Sequence, residues 1–155
     1  MPHRFRDECA VALSSEASSV SDARDFVRQT LKRWDLSRLG DTVILLTSEL
    51  ATNAVVHAGT SYDVVIELSD SSVRVSVLDD SPLPAGLREH GLHATSGRGV
   101  ELVEALSEHW GMLPPPPLDG RIKGMWFEVP TAEPSPPTAQ EAGYGGELPR
   151  QLQVR

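Results

Sequence analysis

The sequence predicts an α/β protein, and three stretches carry that prediction. In residues 39–59, LGDTVILLTSELATNAVVHAG, the side chains Val43, Leu46, Leu50 and Ala54 recur at spacings of three and four, with Ile44, Thr47, Ala51 and Ala58 beside them. That is the period of a helix with a broad apolar face, roughly five turns long at about 3.6 residues per turn. Residues 62–69 (YDVVIELS) and 73–80 (VRVSVLDD) are short β-branched runs parted by Asp70-Ser71-Ser72, so they form an antiparallel hairpin. Residues 124–129, GMWFEV, alternate in the same way and supply a further strand.

The other elements follow in chain order. Residues 5–14 set Cys9, Val11 and Leu13 at alternate positions, the mark of an edge strand with one buried face. Ser18, Ser19 and Ser21 offer turn and cap chemistry ahead of a helix over 20–34. Its inward side is Ala23, Phe26, Val27, Thr30, Leu31 and Trp34; Arg24, Asp25, Arg28, Gln29, Lys32 and Arg33 form a solvated side. The long helix has Asp41 or Thr42 as its cap and Gly59 as a left-handed stop. In the hairpin, Val64 or Val65 with Ile66 face the core from the first strand, and Val73, Val75 and Val77 from the second. Its turn lacks the glycine of the tightest hairpins.

Beyond the hairpin, Pro82 and Pro84 stiffen the exit from the second strand. Residues 83–96 have no sustained period and contain Gly86, His90, Gly91 and His93, so they form a loop long enough to act as a lid. The two histidines lack a third ligand, which disfavours zinc. Gly97-Arg98-Gly99 opens a further helix with Val100, Leu102, Val103, Leu106 and Trp110 on its apolar side and Gly111 as its stop. Four prolines at 114–117 make an extended connector. In the last strand Met125, Phe127 and Val129 face one way, Trp126 and Glu128 the other. Residues 131–155 are rich in Pro, Gly, Ser and Gln and read as a disordered tail behind a single domain over 5–130.

Composition narrows the function. The 155 residues suffice for one domain with a real core, and a formal charge of -8 disfavours direct nucleic-acid binding, which needs clustered Lys and Arg. An acidic protein can still take a nucleotide through backbone N–H groups, a few basic side chains and a metal. The single Cys9 allows no intrachain disulfide. No stretch approaches the apolar length of a bilayer span, and MPHRFRDE has no signal-peptide core, so no membrane association and a cytoplasmic location are expected.

Glu49, Asn53 and His57 stand at successive i, i+4 positions, so an acid, an amide and an imidazole line one strip of an otherwise apolar helix. Such a strip is either a solvated stripe or the border of a cleft. In the second case Asn53 offers an oxygen to a hard cation, and Glu49 can orient or deprotonate a hydroxyl. His57, a turn from the helix end, alternatively bonds the last carbonyls. Asp79-Asp80 is either a loop lead-in or places a carboxylate to accept the exocyclic amine of adenine. Gly97, Arg98 and Gly99 leave N–H groups and a guanidinium open to phosphate at a helix start. Lys123 begins the last strand, where it either reaches a phosphate or is an ordinary strand-end lysine.

These pieces occur in an order that resembles the histidine-kinase-like ATPase superfamily. ELATNAVVH resembles its N box, LDDSP its first glycine box, SGRGVELVEAL its second, and KGMWFEV its terminal strand. More narrowly, the chain is similar to the small anti-sigma-factor serine/threonine kinases and their short actinobacterial relatives. The resemblance implies a two-layer α/β sandwich with helices on one face of a mixed, mostly antiparallel sheet and an ATP lid. It implies Mg²⁺ and ATP as cofactors, with Glu49 assisting the protein-substrate hydroxyl, Asn53 as the Mg²⁺ ligand and Asp79 recognising adenine. His57, Ser81, Gly97, Arg98, Gly99 and Lys123 would complete the nucleotide site. Ser81 stands where a stricter first glycine box has glycine, and Ile122 where glycine often precedes the lysine. The implied partners are an anti-sigma-factor antagonist protein, as phosphoacceptor, and a sigma factor, with homodimerisation as a family property. Three functions follow: a regulatory protein kinase, a nucleotide-regulated protein-binding module with little or no kinase activity, and a domain that has kept the fold without ATP.

Overall fold

The computed structural model describes residues 5–79, 99–113 and 123–133. In chain order they form β1 (Asp7–Leu13), α1 (Ser19–Arg33), a 3-10 turn (Ser37–Leu39), α2 (Gly40–Asn53), a π-helical turn (Ala54–Ala58), β2 (Tyr62–Leu68), β3 (Ser72–Asp79), α3 (Gly99–Leu106), β4 (His109–Leu113) and β5 (Lys123–Pro130). The strands make one sheet in the order β1-β2-β3-β5-β4. All four pairings are antiparallel, in keeping with the expectation of a mostly antiparallel sheet. α1 and α2 pack on each other and on this sheet, giving a two-layer α/β arrangement.

Register decides which side chains meet the helices. Val11, Val64, Val77 and Met125 stand in one row across the sheet, and Cys9, Ile66, Val75 and Phe127 in the next. Because side chains alternate with a period of two, these rows share a face. Val64, Ile66, Val75 and Phe127 are fully buried on it, so Val64 and not Val65 is the core residue. From the other layer Ala23, Val27 and Leu31 of α1 and Val43, Leu46, Leu50 and Ala51 of α2 close the core. Each of the larger of these side chains contributes about 1.5–3 kcal/mol on burial.

The long helix differs from expectation at both ends. Neither Asp41 nor Thr42 caps it: the 3-10 turn runs straight into α2, with Leu39 N–H donating to the Leu36 carbonyl at 3.0 Å. The chain before the helix thus supplies acceptors that a capping side chain would otherwise provide. At the other end the ladder widens after Asn53, so Gly59 N–H reaches the Ala54 carbonyl (3.1 Å) and Gly59 adopts φ 64° as the expected stop. The helical run Ser37–Ala58 has 22 residues and contains an 18-residue stretch of mean hydropathy 1.2, long and apolar enough to cross a bilayer, contrary to the sequence expectation. In this fold its apolar face lies in the core.

α3 is shorter than expected. Ser107 N–H and hydroxyl both donate to the Val103 carbonyl, which closes the last turn at Leu106. Residues 109–113 then pair with β5, so Trp110 lies on a strand, and Gly111 is not a helix stop. Gly111 sits opposite Trp126, and a Cβ there would stand 3.1 Å from three indole atoms. Its lack of a side chain makes room for that ring.

The hairpin turn manages without glycine because Ser69 holds it. The Ser69 hydroxyl accepts from the N–H groups of Ser72 (3.0 Å) and Ser71 (3.3 Å), and Ser69 N–H donates to the Ser72 carbonyl at 2.9 Å. At the sheet edge, Trp34 Nε1 donates to Asp7 (2.8 Å) and Arg33 to Cys9 Sγ (3.0 Å), tying β1 to the end of α1. Order extends past residue 130, since Thr131 N–H donates to the Ser71 carbonyl and Arg38 donates to the Thr131 carbonyl. The rest of the expected tail, 134–155, lies outside the described residues.

The sheet face away from the helices carries a charge network. Arg74 bonds Glu128 through Nε (2.8 Å) and Nη2 (2.6 Å), and its guanidinium stacks 4.3 Å from the Trp126 ring centroid and 5.3 Å from that of Phe5. Glu128 is only 4% exposed in consequence. Beside it, burial pushes the Glu67 carboxyl above its usual range; Glu8 raises it further, Arg74 opposes and Glu128 adds to the rise.

Candidate functional site

α2 is built so that two polar side chains leave the core face toward α3. Glu49 and Asn53 are one α turn apart, before the backbone widens at Ala54. Both meet the first residue of α3: a Cβ on Gly99 would stand 3.4 Å from Asn53 Nδ2 and 3.5 Å from Glu49 Oε2. Both are ordinary van der Waals separations, so the start of α3 approaches the amide and the acid together with room for a methyl group between them. The first N–H groups of a helix have no intrahelical acceptors, so the contact joins a carboxylate, a carboxamide and a helix start in one place. Asn53 is 6% exposed and Glu49 half-buried.

The next positions of the same helical run, Leu50 and Ala54, line a small cavity of about 30 Å³ together with Val77, Asp79, Met112, Gly124 and Met125. Among the described residues its walls are apolar except for Asp79, which is 5% exposed at the end of β3. An apolar pocket with one convergent polar group is the chemistry of a site that recognises a flat, partly polar ligand. Gly124 forms its floor, where a Cβ would overlap the Val77 carbonyl oxygen and lie 2.8 Å from Leu78 Cδ2. Two flexible methionines border it, so its volume can change by rotamer adjustment alone.

The structure thus brings Glu49 and Asn53 close to Gly99, and places Asp79 on a cavity lined by the same helix. His57 lies in the π turn, where a four-residue spacing no longer fixes a side chain on the α strip; it is half-buried. Lys123 enters through its backbone, opposite Asp79 in the β3/β5 register. Ser81, Gly97, Arg98 and the expected lid over 83–96 lie outside the described residues. Sequence reasoning missed Leu50, Ala54, Met112 and Gly124 as cavity walls. Gly124 carried the available signal, since a glycine inside a strand marks a close approach of backbone or ligand.

Two carboxylates near one cleft favour a cation, or an anion that arrives with one. Among the described residues no group of three or more His, Cys, Asp or Glu side chains converges as a metal site. Mg²⁺ often uses only one or two protein oxygens and takes the rest from waters and phosphates, a role open to Asn53 and Glu49. Comparison with protein-family models and with curated proteins finds no match for this chain.

Proposed function

We propose that this chain is an ATP-dependent regulatory serine/threonine protein kinase that phosphorylates an anti-sigma-factor antagonist protein, with residues 83–96 as a lid on the nucleotide. The observation that carries the reading is the approach of Gly99 to both Glu49 and Asn53, with Asp79 on an apolar cavity lined by the same helix. An N-box acid and amide, a second-glycine-box glycine and an adenine-type aspartate are the parts that the resemblance to anti-sigma-factor kinases requires together.

The residues present fit Mg-ATP by their chemistry. Asn53 and Glu49 supply hard oxygen donors, the start of α3 supplies N–H donors, and Asp79 supplies an acceptor for an exocyclic amine. Mg-ATP brings the transferable phosphoryl group and the countercharge that lets it be attacked. Glu49 positions the incoming hydroxyl and takes its proton as the new phosphorus–oxygen bond forms and the bond to the departing ADP breaks. Asp79 orients the base, and N–H groups at Gly99 with Arg98 stabilise phosphate charge. The space of about 30 Å³ between the described side chains is smaller than a purine, so the base enters as Met112 and Met125 swing aside.

Glu49→Ala and Asn53→Ala test these roles together. Glu49→Ala lowers phosphoryl transfer by about 10²-fold or more while leaving ATP affinity within a few-fold. Asn53→Ala weakens the Mg²⁺-dependent part of ATP binding. Calorimetric binding and labelled-phosphate transfer on the same preparations reject the reading if Glu49 is dispensable and Asn53 makes no Mg²⁺-dependent difference.

One observation favours a second reading, a nucleotide-controlled protein-binding module. Glu49 and Asn53 stand together beside Gly99, and a helix strip with a phosphate end suffices to switch an interface, whereas phosphoryl transfer also needs a docked hydroxyl. ATP-dependent partner association without transferred label selects this reading. Ser81 and Ile122, in place of glycines, motivate instead the third reading, a domain that has kept the fold without ATP.

A further inference from the structure

On the solvent side of the helical layer, α1 carries Arg24, Arg28 and Lys32 at successive i, i+4 positions, all exposed, with Arg33 next to Lys32. Four of the 14 Lys and Arg residues of a chain with net charge -8 thus stand on one helix. Arg24 and Arg28 form one wall of a groove of about 340 Å³, whose other wall is Asp41, Ile44, Leu45 and Ser48 of α2. Leu45 is 40% exposed there, a large apolar side chain left outside the core. Arg28 bonds Asp25 at 2.6 Å in a pair exposed on both sides, and an exposed pair of this kind contributes little and exchanges easily. Arg24 forms no ion pair among the described residues.

We propose that this groove docks an acidic amphipathic segment of a partner protein, its carboxylates against Arg24 and Arg28 and its apolar side chain over Leu45 and Ile44. Charge complementarity selects the occupant: the guanidiniums are local cations on an acidic molecule, so they steer an acidic segment to this wall and leave like-charged surfaces repelled elsewhere. Arginine also makes paired hydrogen bonds to a carboxylate, which fixes register as well as affinity. A nucleic acid fits less well, because a duplex needs an extended cluster of Lys and Arg and this wall offers two arginines on a chain of net charge -8. The apolar patch is a single leucine flanked by Ile44, enough to cover one or two partner side chains and small for a lipid surface. Glu49 and Asn53 take no part in this groove, so the inference stands independently of the proposed reaction.

The test is a titration of the isotope-labelled full chain, followed by backbone amide NMR, with a synthetic helical peptide carrying Glu at i and i+4 and Leu between them. Parallel titrations use the same peptide with Lys for Glu, the same peptide with Ala for Leu, a short DNA duplex, and phosphatidylserine vesicles. Saturable shifts confined to α1 and the first half of α2, with the acidic Leu-bearing peptide preferred about tenfold over both altered peptides, are the expected result. Arg24→Glu/Arg28→Glu lowers that affinity about tenfold or more, and Leu45→Ser lowers it several-fold, each with unchanged melting temperature and amide dispersion outside the groove. No saturable shifts with the acidic peptide, equal shifts with the Lys peptide, tighter binding of DNA or vesicles, or an unaffected double variant each overturn the proposal.

Discussion

Replacing Gly124 by alanine tests the floor of the cleft, where β3 and β5 are closest. A Cβ at this position would overlap the Val77 carbonyl oxygen and lie 2.8 Å from Leu78 Cδ2 and 3.2 Å from the Val77 carbonyl carbon. Ordinary contact begins near 3.4 Å, so β5 must withdraw by about half an ångström or more. The obstacle is backbone of a paired strand, which cannot rotate away. Withdrawal stretches the ladder where Leu78 faces Gly124 and Asp79 faces Lys123. Overpacking of this kind costs roughly 1–3 kcal/mol, and a backbone clash belongs at the upper end. Alanine recovers about 0.4–1 kcal/mol by restricting the unfolded chain, leaving a net loss of about 2 kcal/mol. Gly111→Ala is the control: its Cβ meets three atoms of the Trp126 ring at 3.1 Å, and a half-buried indole can yield, so the loss is about 1 kcal/mol or less. Urea unfolding of both variants measures the difference, with unchanged slope. Gly124→Ala within about 0.5 kcal/mol of the parent, or Gly111→Ala the costlier of the two, refutes the reasoning.

The outer face of the sheet gives two further expectations. Arg74→Ala strands a Glu128 carboxylate that is 4% exposed, so it costs about 3 kcal/mol, while Arg74→Met/Glu128→Leu returns most of that loss; equal destabilisation of single and double variants in urea counts against the pair. Glu67 holds its proton more tightly folded than unfolded. From its ordinary value of 4.5 up to the raised folded value, the native state therefore binds more protons, and stability falls as pH rises through that window. Glu67→Gln flattens this part of the profile. Asp7 acts with the opposite sign and lower down: its carboxyl is held below 3.8 by the Trp34 bond first and the Glu8 N–H second, so its stabilisation disappears as pH falls below 3.8 and does not obscure the Glu67 window.

What the sequence disclosed follows from how local each signal is. β1, α1, the hairpin and β5 were legible because alternation and the three-four spacing are properties of each stretch alone. β4 was not: HWGML continues an apolar helical pattern, and only β5, far along the chain, offers the edge that makes it a strand. The cap at Asp41 or Thr42 failed for a similar reason, since the preceding 3-10 turn is invisible to a motif that looks for one side chain. The Glu49 and Asn53 strip was readable because α geometry holds that far, and the break at Ala54 was not, because nothing in AVVHA requires a π turn. The meeting of Gly99 with that strip depends on how α3 packs on α2, which no spacing rule contains.

Ala54 separates the fold from the proposed base pocket. It is 2% exposed, sits at the first position of the π turn, and lines the cavity with Gly124. Ala54→Val adds two carbons, and a space of about 30 Å³ has room for about one of them, comparable to one water. The burial of that carbon gains about 0.8 kcal/mol, while the second presses on Met112 or Met125 and the β-branch disfavours the helical backbone by a similar sum. Stability should therefore stay within about 1 kcal/mol of the parent. A purine that uses this cavity loses its place, so Mg-ATP affinity falls by about tenfold or more, whereas a nucleotide held only at Glu49, Asn53 and the start of α3 binds as before. Thermal melting with calorimetric titration of ATP reads both quantities. A folded Ala54→Val protein with undiminished ATP binding removes Asp79 and its cavity from the nucleotide site.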